Sequence, residues 1–334
     1  MTSQRRLAVA VVQGGPSSEA EVSRASAAGV ARALEHSGHR AVCHELDALL
    51  PESLLADRFD VVFPMVHGAV GEDGCLQGLL EVLGLPYVGS RVLASALAMN
   101  KVAARAIFAN SGLPIAEGRS YPRGASAREA AEMARRELGA RLVVKPASHG
   151  SAIGVTRIEA DASIEAVVTA IESVWELDGV ALVEHFARGR EVTCGVLDLD
   201  ECAAFPPTEI DAPRDPFYNF EARYTPGRSV HTCPARLPAG VTESVQRAAI
   251  SAHRVLGCRD LSRVDFVVGD DGSDSRLTLL EVNTIPGMTP TSLFPEAAER
   301  RGIPMWELCD ALVMHAHARG CSEHVPSRRL PGVS

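Results

Sequence analysis

The 334-residue sequence predicts an α/β protein built as three successive α/β units. Three observations predict it. Short apolar runs alternate with helix-length segments over the first hundred residues, the pattern of a parallel sheet covered by helices. The chain is longer than one hydrophobic core normally fills. Its composition, 46 % apolar and 22 % charged, is that of an ordinary globular protein, and 4 % aromatics makes the cores aliphatic.

The elements follow in order. LAVAVV (7–12) is a strand, and 19–37 is a helix opened by a Ser18/Glu21 capping box. AVCHEL (41–46) and VVFPMV (61–66) are strands; a helix over 74–83 and a short strand PYVG complete the first unit, residues 1–96. In the second unit, 97–187, helices near 91–111 and 126–138 flank the strand RLVVKP (141–146). GVTRI (154–158), a helix over 161–175 and the strand VALVEHF (180–186) follow. The third unit, 188–320, opens with the strand EVTCGVLDL and continues through a long polar loop (206–230) and a helix (240–256). It ends with paired strands 263–268 and 276–282 and a helix over 302–318, and residues 321–334 read as a disordered tail. No internal repeat or low-complexity block is present.

Charge and composition exclude several classes. The net charge is −9, the pI is about 5.7 and the basic residues form no stripe, so nucleic acid is not an expected partner. No apolar run has the length of a bilayer span. The start, MTSQRRLAVAVVQGG, imitates a signal peptide but ends in Gly14-Gly15 without a cleavage site, so it reads as a buried strand. The eight cysteines are dispersed with no CxxC pair, and reduced structural thiols are expected.

The strongest chemical signal lies in SRVDFVV and RLTLLEVN, joined by a GDDGSDS turn. On such a hairpin Arg263 and Asp265 share one face of a strand, and Glu281 and Asn283 share one face of its partner. Asp, Glu and Asn are hard oxygen donors of the kind Mg²⁺ takes together with phosphate oxygens. A solvated edge hairpin is the ordinary alternative, but these acids sit inside apolar runs, where an unpartnered charge is costly. In NTIPGMTPTS, the Pro286-Gly287 turn can aim amides at a developing oxyanion; an ordinary loop fits equally well. VVKPASHGSAIGV places Lys145 before a Gly/Ser loop able to approach phosphate, with Lys101 as a second cation; most such loops are simple turns. Glu184 and Glu191 can accept ribose hydroxyls or can be surface charges. FYNFEARY, in the long loop, has the length of an active-site lid or of a loop packed by its own aromatics. GGPSSEAEVS and VHGAVGEDG are strand–turn–helix junctions; the first can bind an anion or, through Glu19, an ammonium, and the second carries His67.

Taken in order, GGPSSEAEVS, VHGAVGEDGCLQG, GLPYVGS, SALAMNK, VVKPASHGSAIGV, VEHFARGRE, FYNFEARY, HTCPA, SRVDF and EVNTIPGMTPTSLFP resemble the D-alanine–D-alanine ligases of the ATP-grasp class, over about residues 7–317. The resemblance implies a three-domain ATP-grasp architecture in a cytoplasmic enzyme of peptidoglycan precursor synthesis, with ATP between the second and third units. One D-alanine would be phosphorylated on its carboxylate and attacked by the amine of a second. It implies Asp265, Glu281 and Asn283 as ligands of two Mg²⁺, replaceable by Mn²⁺. It implies Lys101, Lys145, Glu184, Phe186 and Glu191 on ATP, and Glu19, Ser151 and Tyr224 as a hydrogen-bonded set holding the first ammonium. His67, Tyr218 and Arg223 would bind substrate, Arg263 and the Gly287 amide would stabilise the tetrahedral intermediate, and Ser292 would hold the second carboxylate. A homodimer is also implied. The sequence departs from the family pattern at Ala152, where a second serine is common, and at His185 and Arg223, where lysine is. Two rivals remain: a ligase of the same class with another second substrate, and an ATP-binding scaffold without catalysis.

Overall fold

The computed structural model describes residues 5–213, 227–269, 277–289 and 291–321. Its strands form three separate sheets. The first is parallel, in the order β2-β1-β3: β1 (Ala8–Gln13), β2 (Arg40–Glu45) and β3 (Val61–Pro64). Helices α1 (Ala20–His36), α2 (Leu50–Ala56) and α3 (Cys75–Leu83) connect and flank it. The second sheet is antiparallel, in the order β4-β7-β5-β6: β4 (Gly118–Pro122), β5 (Leu142–Pro146), β6 (Thr156–Ile158) and β7 (Val180–His185). It is backed by α6 (Ala127–Leu138) and α7 (Ile164–Leu177), whose Ser126 and Ser163 caps accept from Glu129 and Ala166 amides. The third sheet centres on β8 (Arg190–Asp198) and β12 (Asp260–Val268). It adds β9 (Cys202–Ala204), β10 (Thr208–Asp211), β11 (Val230–Thr232) and β13 (Leu277–Asn283).

Between the first two sheets, α4 (Val92–Met99) and α5 (Lys101–Asn110) meet at a bend of 100°. The expected single helix near 91–111 breaks because Asn100 leaves helical geometry at φ −89, ψ 98, and its side chain caps α5 at the Ala103 amide (3.0 Å). No single helix is long and apolar enough to cross a membrane; this bent pair passes only jointly, by length and composition. Its buried residues Ala94, Ala98, Ala104 and Phe108 pack under the third sheet, together with α8 (Ala239–Val255). The last helices, α9 (Leu293–Arg300) and α10 (Met305–Arg319), fold back: Leu308, Leu312 and Val313 share a core with Val30 and Leu34 of α1.

Other expectations shift. The capping box at Ser18/Glu21 does not form; Glu19 is the N-cap of α1 without a side-chain cap bond, which leaves its carboxylate to face inward. PYVG shrinks to one bridge, Tyr87 beside Val62. The long loop from 206 holds β10 and reaches β11, and α2 and α9 were not anticipated. All eight cysteines are unpaired, in line with reduced thiols. The expected tail beyond residue 321 lies outside the described residues.

Candidate active site

The geometry starts at β12 and β13, whose register sets Asp265 opposite Glu281 and Arg263 opposite Asn283. One residue past Asp265 the register slips at a bulge, which re-aims side chains where the strands leave the site. Each donor is held. Asp265 accepts from Arg263 through both oxygens (2.9 Å each), from Thr193 Oγ1 (2.6 Å) and from Asn283 Nδ2 (3.2 Å). Glu281 pairs with Lys101 Nζ at 3.1 Å. Asp265 and Glu281 therefore sit opposite each other beside Arg263 and Lys101, with Asn283 hydrogen-bonded to Asp265; carboxylates and an amide are the donor types a hard divalent ion such as Mg²⁺ takes.

Lys101 also ties this strand pair to the second sheet: its amide donates to the Ala147 carbonyl (2.8 Å) and its Nζ to the His149 carbonyl (2.6 Å), on the loop after β5. On that loop Ser151 and Ala152 both take positive φ, 50° and 56°, a conformation costly for residues with a Cβ. Lys145, at the end of β5, is buried and pairs with Glu184 Oε2 at 2.5 Å; Glu184 Oε1 pairs with Arg105 of α5. Phe186 follows β7, and Arg157 stacks on its ring at 4.2 Å. Glu191, on β8, lies between β10 and β12.

These parts enclose one cleft of about 820 Å³. Lys101, Lys145, Glu184, Phe186, Glu191, Asp265 and Glu281 all line it, with Lys145 and Glu184 from the second sheet and Glu191, Asp265 and Glu281 from the third. Such a volume with convergent polar groups suits a nucleotide-sized ligand.

The remaining residues gather at the first sheet. Glu19 is buried and accepts a hydrogen bond from the Ser151 hydroxyl, tying the start of α1 to the loop after β5. Gly68 and Gly150 leave that carboxylate room: a Cβ on either would stand 3.1 and 3.3 Å from Glu19 Oε2. His67 is buried next to it. Burial lowers the His67 pKa, the Glu19 charge opposes this, and Arg263 adds to the depression. The Met288 amide donates to Ser26 Oγ (3.2 Å), holding the 283–292 turn against α1. Ser292 Oγ accepts from the Thr289 amide (3.0 Å), and a Cβ on Gly287 would stand 3.0 Å from it. Tyr218, Arg223 and Tyr224 lie outside the described residues.

Two residues of the site escaped sequence reasoning. Glu72 accepts from the Gly68 amide (2.8 Å) and the Ile285 amide (3.3 Å), clamping two site loops together. Burial, with the nearby Glu19 charge added, pushes its pKa up to about 8. Its signal was an acid inside the Gly-rich junction VHGAVGEDG. Arg105 had no signal: it is one arginine on a helix face, and its partner Glu184 is 79 residues away.

The chain is similar to known proteins over most of its length. The family model described as "D-ala D-ala ligase C-terminus" matches residues 107–314, and "D-ala D-ala ligase N-terminus" matches 50–90. A D-alanine–D-alanine ligase of Geobacter sulfurreducens is 43 % identical over 93 % of this chain and 94 % of its own length. One of Anaeromyxobacter is 44 % identical over 91 % and 95 %. Among solved structures, the Bacillus anthracis D-alanine–D-alanine ligase complexed with ATP superposes with a TM-score of 0.79 at 28 % identity, covering 94 % of this chain and 98 % of that one. The VanG D-Ala:D-Ser ligase of Enterococcus faecalis has the same TM-score of 0.79 at 29 % identity, covering 93 % and 100 %.

Proposed function

Because this chain belongs to the D-alanine–D-alanine ligase family, with the ATP-grasp fold, we propose that its named residues perform that reaction in the cleft between the second and third sheets. The activity is ATP-dependent joining of two D-alanines for cell-wall precursor synthesis. The observation that carries the site assignment is the single cleft lined by both lysines, the glutamates and two carboxylates of the metal set.

In this reading ATP lies in the cleft, with Lys101 and Lys145 on its phosphates, Phe186 beside adenine and Glu191 toward ribose. Asp265, Glu281 and Asn283 hold Mg²⁺, which neutralises charge on the phosphates. Glu19 anchors the ammonium of the first D-alanine, with Ser151 and Tyr224 completing the set and His67 alongside. A carboxylate oxygen of that D-alanine takes the γ-phosphoryl group, and ADP leaves. The amine of the second D-alanine, placed by Ser292, then attacks the acyl carbon. Arg263 and the Gly287 amide stabilise the resulting oxyanion, the carbon–oxygen bond breaks, and phosphate departs. By the family resemblance Tyr218 and Arg223 are assigned to substrate binding, and exclusion of water protects the acyl phosphate from hydrolysis. The units 1–96, 97–187 and 188–320 serve as first-substrate, nucleotide and metal-bearing domains. We place the enzyme in the cytoplasm as a homodimer; the support is the family resemblance.

The match to a D-Ala:D-Ser ligase keeps D-serine in view as a second substrate. The neutral tyrosine expected at position 224 favours an amine nucleophile over D-lactate. The test is phosphate release with ATP and Mg²⁺ across D-alanine, D-serine and D-lactate, with product masses. D-alanyl-D-alanine as the main product supports the reading; phosphate release only in mixed incubations with another acceptor would replace it.

A further inference from the structure

The Lys145–Glu184 pair poses a problem for a phosphate-binding lysine. A buried carboxylate 2.5 Å from Nζ holds that ammonium tightly, and only a second cation on the same carboxylate relaxes the hold. Arg105 is that cation. Its Nη1 donates to Glu184 Oε1, the oxygen Lys145 does not use, and its Nη2 donates to the Ala116 carbonyl (2.6 Å). The planar fork is thereby fixed at both ends. Both side chains are nearly enclosed, Arg105 with 11 % and Glu184 with 7 % of the side chain exposed. Space for the contact is made on β4: Gly118 faces Glu184 in register, and a Cβ there would stand 2.9 Å from Arg105 Nη2 and 3.0 Å from Glu184 Cγ.

We propose that Arg105 is a positioning residue for nucleotide use: it neutralises and fixes Glu184, so that Lys145 keeps charge to offer the phosphates of ATP. It touches neither substrate; it acts through Glu184. Without it, Lys145 is the cation left on the buried carboxylate among the described residues, and its charge is drawn inward. The expected loss therefore falls on ATP binding and not on D-alanine binding.

The inference rests on the cleft holding ATP, and the experiment separates the two. Steady-state constants for ATP and for D-alanine are measured for the full chain carrying R105M, R105K, E184Q, R105M/E184Q, G118A and K145M, with Tm recorded for each. R105M should raise the KM for ATP on the order of tenfold while the KM for D-alanine stays within about twofold. R105K should recover part of the loss, because a lysine restores the charge but not the fork. G118A, which changes no charge, should move the KM for ATP in the same direction. Adding R105M to E184Q should cost little further, since the residue it acts through is already neutral. If R105M and E184Q multiply, or if folded R105M keeps a normal KM for ATP, the proposal is overturned. If K145M and E184Q leave the KM for ATP unchanged as well, the nucleotide assignment of the cleft fails and the proposal fails with it.

Discussion

At the scale of single residues, the site is a collection of charges that need partners. Glu281 is bound by Lys101 at 3.1 Å and faces Asp265 across the strand pair, so E281Q keeps the shape while removing one anionic ligand. Activity at limiting Mg²⁺ should fall by about two orders of magnitude or more while Tm shifts little; normal turnover at limiting Mg²⁺ would remove Glu281 from the metal set. Glu72 yields a pH prediction. Its carboxyl keeps a proton to about pH 8 in the folded protein, whereas in the unfolded chain it ionises near its ordinary value of 4.5. The stability it contributes is complete below the unfolded pKa and is lost as pH rises from 4.5 toward 8. E72Q does not titrate, so its Tm should gain on wild type between about pH 5 and pH 8.5. A constant difference across that range would contradict the burial of this carboxyl. The acids of β12 and β13 were legible because Asp265 and Glu281 interrupt apolar strand runs, where an acid demands a partner. Glu72 and Arg105 were not, because their partners Ile285 and Glu184 come close only through tertiary folding, 213 and 79 residues away.

At the scale of elements, alternation located most strands and helices to within a few residues, as at β5 (Leu142–Pro146) against the expected 141–146. What it missed are breaks and short pieces whose cause is packing. The run 91–111 is apolar enough for one helix, but the chain must turn so that α4 and α5 both reach the third core and Lys101 reaches the His149 carbonyl. Asn100 makes that turn and caps α5. N100A should therefore cost about 1 kcal/mol of stability and also raise the KM for ATP, because Lys101 is the next residue. The measurement is a urea titration together with ATP kinetics; a stability loss with an unchanged KM would show that the bend does not position Lys101. Helix α9 was not anticipated; the structure accommodates Pro295 in its first turn, where the missing amide costs nothing. The start of α1 shows the reverse error: a Ser18/Glu21 capping box was expected and does not form, and the N-cap is Glu19, whose side chain accepts from Ser151.

At the scale of the molecule, the order of units along the chain was legible and their mutual packing was not. Helix α10 returns to the first sheet, and its Arg319 grips the fully buried Asp260 of β12 (2.5 and 2.9 Å) and the Tyr87 carbonyl (3.0 Å). Asp260 Oδ2 also accepts from the Gly89 amide at 2.7 Å. This node fixes the first sheet, which carries Glu19 and His67, against the third, which carries Arg263 and Asp265. R319M leaves a buried carboxylate without its main cation and should cost about 3 kcal/mol, read by denaturant unfolding; a loss under about 0.5 kcal/mol would show that the node carries no stability. The whole arrangement serves one chemical claim, that a carboxylate is activated by phosphorylation before an amine attacks it. D-alanine labelled with ¹⁸O in both carboxylate oxygens tests that claim most directly. The phosphate released during turnover with ATP should carry one ¹⁸O per molecule, because the carbon–oxygen bond of the acyl phosphate is the one that breaks. Phosphate released without label, while D-alanyl-D-alanine accumulates, would contradict it.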